Sequence, residues 1–162
     1  MGFLLDNRTG KKCEPKTYFS IDRKDNLLLA HFKAYDSSLN SYSSKHNDDL
    51  YKGDVVEIFL TVGVKDYIEI EVAPNGATFV ASILNRRITF IDDSFLKTNV
   101  EINSNDYFVD IIIDLSNFKN IEEIRYNAFR IETKGIKVEY ILQAANPTLS
   151  NTFHVKDKFI TL

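Results

Sequence analysis

The sequence predicts an all-β protein, an antiparallel sandwich of the immunoglobulin or jelly-roll kind with minimal helix. Short segments that alternate apolar and polar residues recur along the whole chain, as in half-buried strands. Turn residues such as Asp25-Asn26 and Pro74-Asn75-Gly76 separate them. Only residues 116–124 favour a helical turn, with Ser116 as its N-cap. Many short strands with little helix are typical of packed antiparallel sheets.

The predicted strands follow in chain order. They are residues 17–21, 27–35, 55–62, 67–73, 77–84, 98–102, 107–114, 126–133, 137–143 and 159–162. Further turns are expected at residues 52–53, 63, 103–106 and 135. Asn75-Gly76 after Pro74 is the strongest local signal and predicts a tight reversal. No linker or repeat interrupts the pattern, so residues 1–162 are predicted to form one domain.

One carboxylate stands out in the predicted strand 55–62. Val56, Ile58 and Leu60 point to one face, and Val55, Glu57 and Phe59 point to the other, so both faces are apolar except at Glu57. A carboxylate among apolar neighbours is costly to desolvate unless it reaches water, pairs with a cation or serves a ligand. Glu57 is therefore a candidate ligand contact. The alternative is an ion pair with Arg130 across the sandwich.

The next predicted strand, 67–73, also carries acids. Tyr67, Glu69 and Glu71 share the face opposite to Ile68 and Ile70. A face with two acids is more often solvated, so we expect these residues to meet water.

Composition excludes several classes of partner. The net charge is −3 with interspersed signs, which disfavours nucleic acid and acidic membranes as partners. No apolar run approaches the roughly 20 residues of a membrane span. Cys13 is the one cysteine, which excludes an internal disulfide framework. Asp6 interrupts any secretory apolar region, so we expect a cytoplasmic protein if Met1 is the native start, and an extracellular one if a signal peptide has been removed.

Three segments, in this order, resemble family 9 carbohydrate-binding modules and their DOMON-like relatives. The first, residues 51–57, has the pattern aromatic-x-x-Asp-x-x-Glu, from Tyr51 to Glu57. The second, residues 127–132, has the pattern Asn-x-x-Arg-x-Glu. The third runs from Asn146-Pro147-Thr148 through Phe153-His154 to Phe159. The resemblance covers nearly the whole chain.

The resemblance implies a β-sandwich that binds one end of a saccharide and carries structural calcium. Tyr51 matches the aromatic that stacks on the sugar, Glu57 the acid that accepts its hydroxyls, and Arg130 a polar clamp. Asn127, Phe153 and His154 complete the candidate sugar-binding residues. The chain contains no tryptophan, whereas the family's sugar site is a tryptophan sandwich. The second aromatic plate would then be Phe153 or Tyr42.

These observations favour a non-catalytic carbohydrate-binding module acting in polysaccharide metabolism, with a saccharide as partner. The alternative is a protein-interaction or scaffolding sandwich that has lost sugar binding. A glycoside hydrolase using Glu57 with Glu69 or Glu71 is disfavoured, because carboxyl neighbours of this kind are common in sheets. Met1 is the only methionine, which disfavours a Met/His haem site. The oligomeric state stays open.

Calcium is the cofactor that the resemblance implies. Asp48-Asp49 with Asp54, or Asp92-Asp93, could contribute oxygen ligands. Neither run has the spacing of a self-contained calcium loop, so no metal site is predicted from these residues.

Overall fold

Two antiparallel β-sheets form the protein in a computed structural model, which describes residues 2–62, 67–119, 121, 123–134 and 139–162. The predicted all-β sandwich is confirmed. In chain order the strands are β1 (Gly2–Phe3), β2 (Leu5–Asp6), β3 (Thr17–Lys24), β4 (Leu27–Tyr35), β5 (Val55–Val62), β6 (Tyr67–Val72), β7 (Thr78–Leu84), β8 (Arg87–Phe90), β9 (Leu96–Ile102), β10 (Asp106–Asp114), β11 (Ile124–Lys134), β12 (Glu139–Ala144) and β13 (Ile160–Thr161).

The smaller sheet has the strand order β1-β3-β4-β10-β9. The larger sheet has the order β2-β12-β11-β5-β6-β7-β8, with β13 paired to β11. Short 3₁₀ turns at Leu50–Lys52, Leu115–Asn117 and Lys156–Lys158 are the helical segments of the described residues. None of them could cross a membrane.

The larger sheet is covered on both faces at its centre. Its inner face packs on the smaller sheet through Val56, Ile58 and Leu60, which belong to the main core. Its outer face carries a second apolar cluster that includes Val55 and Phe59. Strand β5 is therefore buried at every position, which explains why its sequence is apolar on both sides.

The chain that follows β12, which we call the C-terminal segment, covers part of the outer face. Phe153 and Phe159 from this segment pack in the outer cluster against Phe59 and Phe129. Leu50, from the turn before β5, packs in the same cluster. The outer face is therefore closed by the C-terminal segment on one side and by the turn that carries Leu50 on the other.

The reversal at Asn75-Gly76 is confirmed. Gly76 has φ +85°, a left-handed conformation that glycine adopts without steric cost. Its N–H donates to the Ala73 carbonyl at 2.9 Å, and the N–H of Ala73 donates to the Ala77 carbonyl at 2.9 Å. The Asn75 side chain also donates to the Ser43 carbonyl at 2.9 Å, which ties the turn to a neighbouring loop.

Some local predictions were wrong. Strand β8, with the sequence RITF, was missed because it is short and exposed on both faces. The expected helical turn after Ser116 is a 3₁₀ turn at Leu115–Asn117, and its N-cap is Asp114, which accepts a hydrogen bond from the Ser116 N–H. The turns predicted at Gly63 and Gly135 lie outside the described residues, as do residues 137–138 of the predicted strand 137–143.

Candidate functional site

A groove of about 350 Å³ opens on the outer face of the larger sheet. Tyr51 and the C-terminal segment around Phe153 and His154 line it together with Glu57. The remaining lining residues are Asp49, Phe59, Glu69, Glu71, Phe79, Ile88, Ile131, Leu142, Asn151 and Thr152. We call this surface the groove.

Strand register places three glutamates together at the groove. Glu57 on β5 lies directly opposite Glu71 on β6, and Glu69 follows two residues away on the same face. Their exposed fractions are only 2%, 3% and 6%. We call these three residues the acid cluster. The prediction that Tyr67, Glu69 and Glu71 form a solvated face was wrong, because the coverings of the outer face remove them from bulk water.

Burial and mutual repulsion shift the acid cluster toward its protonated forms. Burial raises the pKa of Glu57 well above its usual range, and the neighbouring Glu71 and Glu69 raise it further. Burial likewise raises the pKa of Glu71, with further contributions from Glu69 and Asp49. Burial raises the pKa of Glu69 to about 7. At neutral pH the cluster can therefore both donate and accept hydrogen bonds.

Glu71 has a free hydrogen-bonding atom at the groove. Its Oε2 is buried and has no hydrogen-bond partner among the described residues. The ion pairs found in the described part of the chain involve none of the three glutamates. A buried polar atom without a partner costs free energy, and in a native structure it calls for an explanation such as a ligand.

Tyr51 is an aromatic side chain at the rim of the groove. It belongs to the 3₁₀ turn Leu50–Lys52, in which the buried Leu50 anchors the backbone to the outer cluster. Tyr51 itself remains 46% exposed. Gly53 ends the turn, and its N–H donates to the Leu50 carbonyl at 2.9 Å. The turn therefore holds a half-exposed ring beside the acid cluster.

The C-terminal segment lines the side of the groove that lies across from Tyr51. Phe153 stacks on Phe129 with ring centroids 4.2 Å apart. The Tyr67 hydroxyl and His154 Nδ1 share a hydrogen bond of 2.6 Å, and the imidazole lies over Phe59 at 5.3 Å. Burial lowers the pKa of His154, and Arg86 lowers it further, so the ring is neutral at pH 7.

Asn127 lies behind the groove rather than in its lining. Its side-chain amide donates to the Asn146 carbonyl at 2.8 Å and to the Lys158 carbonyl at 3.3 Å. Its Oδ1 accepts from the Asn146 N–H at 3.0 Å. Asn127 thus holds both ends of the segment that carries Phe153 and His154, and the structure does not bring its side chain to the groove.

Arg130 lies on the other face of the sheet. Since side chains alternate along a strand and Arg130 is opposite Val56, it points to the inner face while Glu57 points to the outer one. The interpretation that Arg130 pairs with Glu57 was therefore wrong. Arg130 is fully buried and pairs with Asp36 at 2.7 Å. It also donates to the Tyr35 carbonyl at 3.0 Å.

Of the two candidates for a second aromatic plate, the structure brings only Phe153 to the groove. Tyr42 is exposed outside the groove, with the Lys52 ammonium 5.1 Å from its ring centroid. Sequence reasoning missed Phe79 and Ile88 as lining residues. Phe79 lies in the predicted strand 77–84, whereas Ile88 lies on the missed strand β8, and nothing in the sequence showed that this face opens into a groove.

The residues considered for calcium do not fit that ion. Asp54 is buried, and its carboxylate accepts the N–H groups of Asn40 at 2.6 Å and Thr133 at 2.7 Å. These donors occupy the oxygens that a cation would need. Asp48 accepts a bond from Ser43, and Asp93 lies 3.7 Å from His46. No group of three or more His, Cys, Asp or Glu side chains arranged to hold a metal ion occurs in the described residues.

Comparison with known proteins found one curated relative of part of this chain. No family model matches the chain. A curated relative from Arthroderma benhamiae, named "Extracellular protein", is 34% identical over 76 residues, which cover 44% of this chain. The match spans only 34% of the length of that relative.

Solved structures match over almost the whole chain. A candidate carbohydrate-binding protein from Bacteroides uniformis has a TM-score of 0.80 at 16% identity, covering 99% of this chain and 84% of its own. A family 9 carbohydrate-binding module from Caldicellulosiruptor kristjanssonii, solved with glucose, has a TM-score of 0.72 at 19% identity, covering 98% and 81%. Another structure described as a family 9 module of that organism, solved with cellotriose, has a TM-score of 0.60 at 21% identity, covering 82% and 65%. The chain has the fold of these modules, as the order of its motifs predicted.

Proposed function

We propose that this protein is a non-catalytic carbohydrate-binding domain that holds one end of a saccharide in the groove. The observation that carries the proposal is the exposed Tyr51 ring at the rim of a groove with buried carboxyl groups. A pyranose has an apolar C–H face and a belt of hydroxyls, and the groove offers a surface for each.

Aromatic contact would bind the apolar face of the sugar. Tyr51 presents its ring to solvent, while Phe153 is fixed by its stack on Phe129. Aromatic rings supply large, rigid apolar surfaces for such a contact. Because the buried Leu50 anchors the backbone beside Tyr51, ligand binding has to order only the Tyr51 side chain and not the turn.

The acid cluster would bind the hydroxyls. A carboxylate accepts hydrogen bonds, and a protonated carboxyl also donates one. With a pKa of about 7 for Glu69, both forms are present near neutral pH. The buried Oε2 of Glu71 is an acceptor whose hydrogen-bonding capacity is unused among the described residues. Arg130 and Asn127 support the groove from outside it and are left out of the proposed contact set.

The relatives support the same class of ligand. Two of the matching structures were solved with glucose and with cellotriose, so glucose and short β-glucans are the first ligands to test. The name of the Arthroderma benhamiae relative supports an extracellular setting for the domain.

Calorimetric titration with glucose and cellotriose tests the proposal. We expect binding in the wild type and a loss of about tenfold in affinity in Tyr51→Ala, since tenfold corresponds to about 1.4 kcal/mol. Tyr42→Ala is the matched control, an exposed tyrosine outside the groove, and should bind as the wild type does. Equal losses in both variants, or no binding by folded wild-type protein, would contradict the proposal and direct the search to protein partners.

The non-catalytic part of the proposal has its own test. Glycosidases need two carboxyls about 5–9.5 Å apart, one with a raised pKa, and the acid cluster makes hydrolysis worth measuring. We expect no release of chromophore from aryl β-glucosides. Release that disappears in Glu57→Gln would show that the groove is an active site.

A further inference from the structure

We infer that the groove selects a saccharide unit with a free, protonated amino group over the corresponding neutral sugar. This inference rests on the proposed function and names the class of its ligand as an amino sugar. Three observations support it. The charged side chains that line the groove are acids, two of them (Glu57 and Glu71) lie directly opposite each other on neighbouring strands, and one carboxyl oxygen has no hydrogen-bond partner among the described residues.

The ionisable groups that can carry charge in the groove are almost all acids. Its described lining contains Asp49 and the acid cluster but no lysine or arginine. His154 is hydrogen-bonded to Tyr67, and burial lowers its pKa, so it adds no positive charge at neutral pH. Lys52 lies outside the lining and is half-buried, and its ammonium pairs at 2.6 Å with Asp49, the lining acid at the rim. At the acid cluster a cationic ligand would therefore meet carboxyl groups, and the described lining residues include no lysine or arginine that would repel it.

Ionising the acid cluster is costly to the fold when no cation is near it. Like charges directly opposite each other on neighbouring strands destabilise a sheet, and Glu57 faces Glu71 in this way on the two buried central strands. Glu71 Oε2 lies buried at the groove without a hydrogen-bond partner among the described residues. A positive charge in the groove would favour the ionised forms of these carboxyls and relieve the repulsion between them.

The shape of the site favours an ammonium on a sugar ring over a bare metal ion. Calcium needs six to eight oxygens converging on one point, and the described residues provide no such cluster. An ammonium has three donors that can spread over several carboxylates. The groove volume of about 350 Å³ and the exposed Tyr51 ring suit a bulky ligand that carries its charge on a ring.

Binding of a cationic sugar should also cause the acid cluster to release protons. Three titratable groups face the acid cluster: Asp49 from the turn before β5, Tyr67 from β6 and His154 from the C-terminal segment. Arg86 acts on His154. A bound cation lowers the pKa of nearby carboxyls. Binding of an amino sugar near pH 7 should therefore release protons, whereas binding of a neutral sugar should release few.

The experiment is a calorimetric titration of the full chain with D-glucosamine, D-glucose and N-acetyl-D-glucosamine, repeated in buffers of different ionisation enthalpy. N-acetylglucosamine keeps the nitrogen but loses its charge. We expect glucosamine to bind at least about tenfold more tightly than the other two, with net proton release. In Glu71→Gln the ratio of the two affinities, glucosamine to glucose, should fall to about threefold or less, whatever affinity for glucose remains. Glu101→Gln, an exposed acid on β9, is the matched control and should keep the preference.

The outcomes separate this inference from the proposed function. Glucose binding equal to or tighter than glucosamine binding overturns the inference and leaves the proposed function intact. Silence toward all three sugars from a folded protein overturns both. Ethanolamine carries the amine without the ring, and if it bound as tightly as glucosamine, the site would be one for simple cations and the inference would fall.

Discussion

At the residue scale, Glu71 combines burial, a like-charged neighbour across the strand pair and an oxygen without a partner among the described residues. Each of these features lowers the stability of the fold when the side chain is ionised. A residue that costs stability and lines a groove is typical of a functional site. This is why the acid cluster, more than any single motif, defines the candidate site.

The raised pKa of Glu71 predicts a pH-dependent effect of its removal. Between the unfolded pKa near 4.5 and the higher folded pKa, the folded state binds more protons, so its stability falls as pH rises through this window. We expect Glu71→Gln to raise the melting temperature at pH 8 by about 2–4 °C, the shift for about 1 kcal/mol in a protein of this size. At pH 4.5 the difference should be small. Calorimetric melting at both values measures it.

Glu101→Gln is the control for this prediction, because Glu101 is exposed on the smaller sheet. It should change the melting temperature little at either pH. A Glu71→Gln variant that melts lower than the wild type at pH 8 would contradict the account of the acid cluster.

At the scale of elements, the 3₁₀ turn Leu50–Lys52 and the C-terminal segment position the groove. Sequence patterns predicted the central strands well, because apolar alternation reports directly on which face is buried. They did not predict that the C-terminal segment covers the outer face. That contact depends on Asn127, whose bonds to Asn146 and Lys158 join residues 19 and 31 positions apart, and no local pattern encodes such a distance.

Gly53 fixes the backbone of the turn that carries Tyr51. A Cβ at this position would lie 2.6 Å from both the Asn40 carbonyl oxygen and the Tyr42 nitrogen, which are backbone atoms. Gly53→Ala should therefore lower the free energy of unfolding by about 1–3 kcal/mol, as overpacking does. It should also weaken glucose binding, since the turn must shift. Denaturant unfolding and calorimetric titration measure the two effects.

Gly2→Ala is the matched control, because a Cβ there meets nothing within 4 Å. It should leave both stability and binding unchanged. If Gly53→Ala unfolded and bound sugar as the wild type does, the turn would not be held by this close approach.

At the scale of the whole molecule, Arg130 joins the two sheets. From β11 of the larger sheet it donates to Thr17 and to the Tyr35 carbonyl, which belong to the smaller sheet, both at 3.0 Å. Its ion pair with Asp36 is buried. The sequence identified Arg130 as special but assigned it to the sugar, because a motif shows that a residue matters without showing which face of the sheet it occupies.

Loss of Arg130 should therefore affect stability and not ligand contact. Arg130→Met leaves the buried Asp36 carboxylate without its cation and Glu132 with Lys134 alone, and breaking a buried pair costs about 3–5 kcal/mol. Lys134→Met removes an exposed lysine 3.3 Å from Glu132 and should cost less than about 1 kcal/mol. Denaturant unfolding measures both. Loss of glucose binding in Arg130→Met protein that remains folded would contradict this assignment.

The central claim is that the groove on the outer face of the larger sheet is the sugar site. Its most direct test is a titration with cellotriose or glucosamine followed by backbone amide NMR shifts, which reports binding residue by residue. We expect the largest changes at residues 49–59, 67–71 and 151–154, and little change along β3, β4 and β10 of the smaller sheet. Changes concentrated on the smaller sheet or around Arg130, or no change at saturating ligand, would contradict the claim.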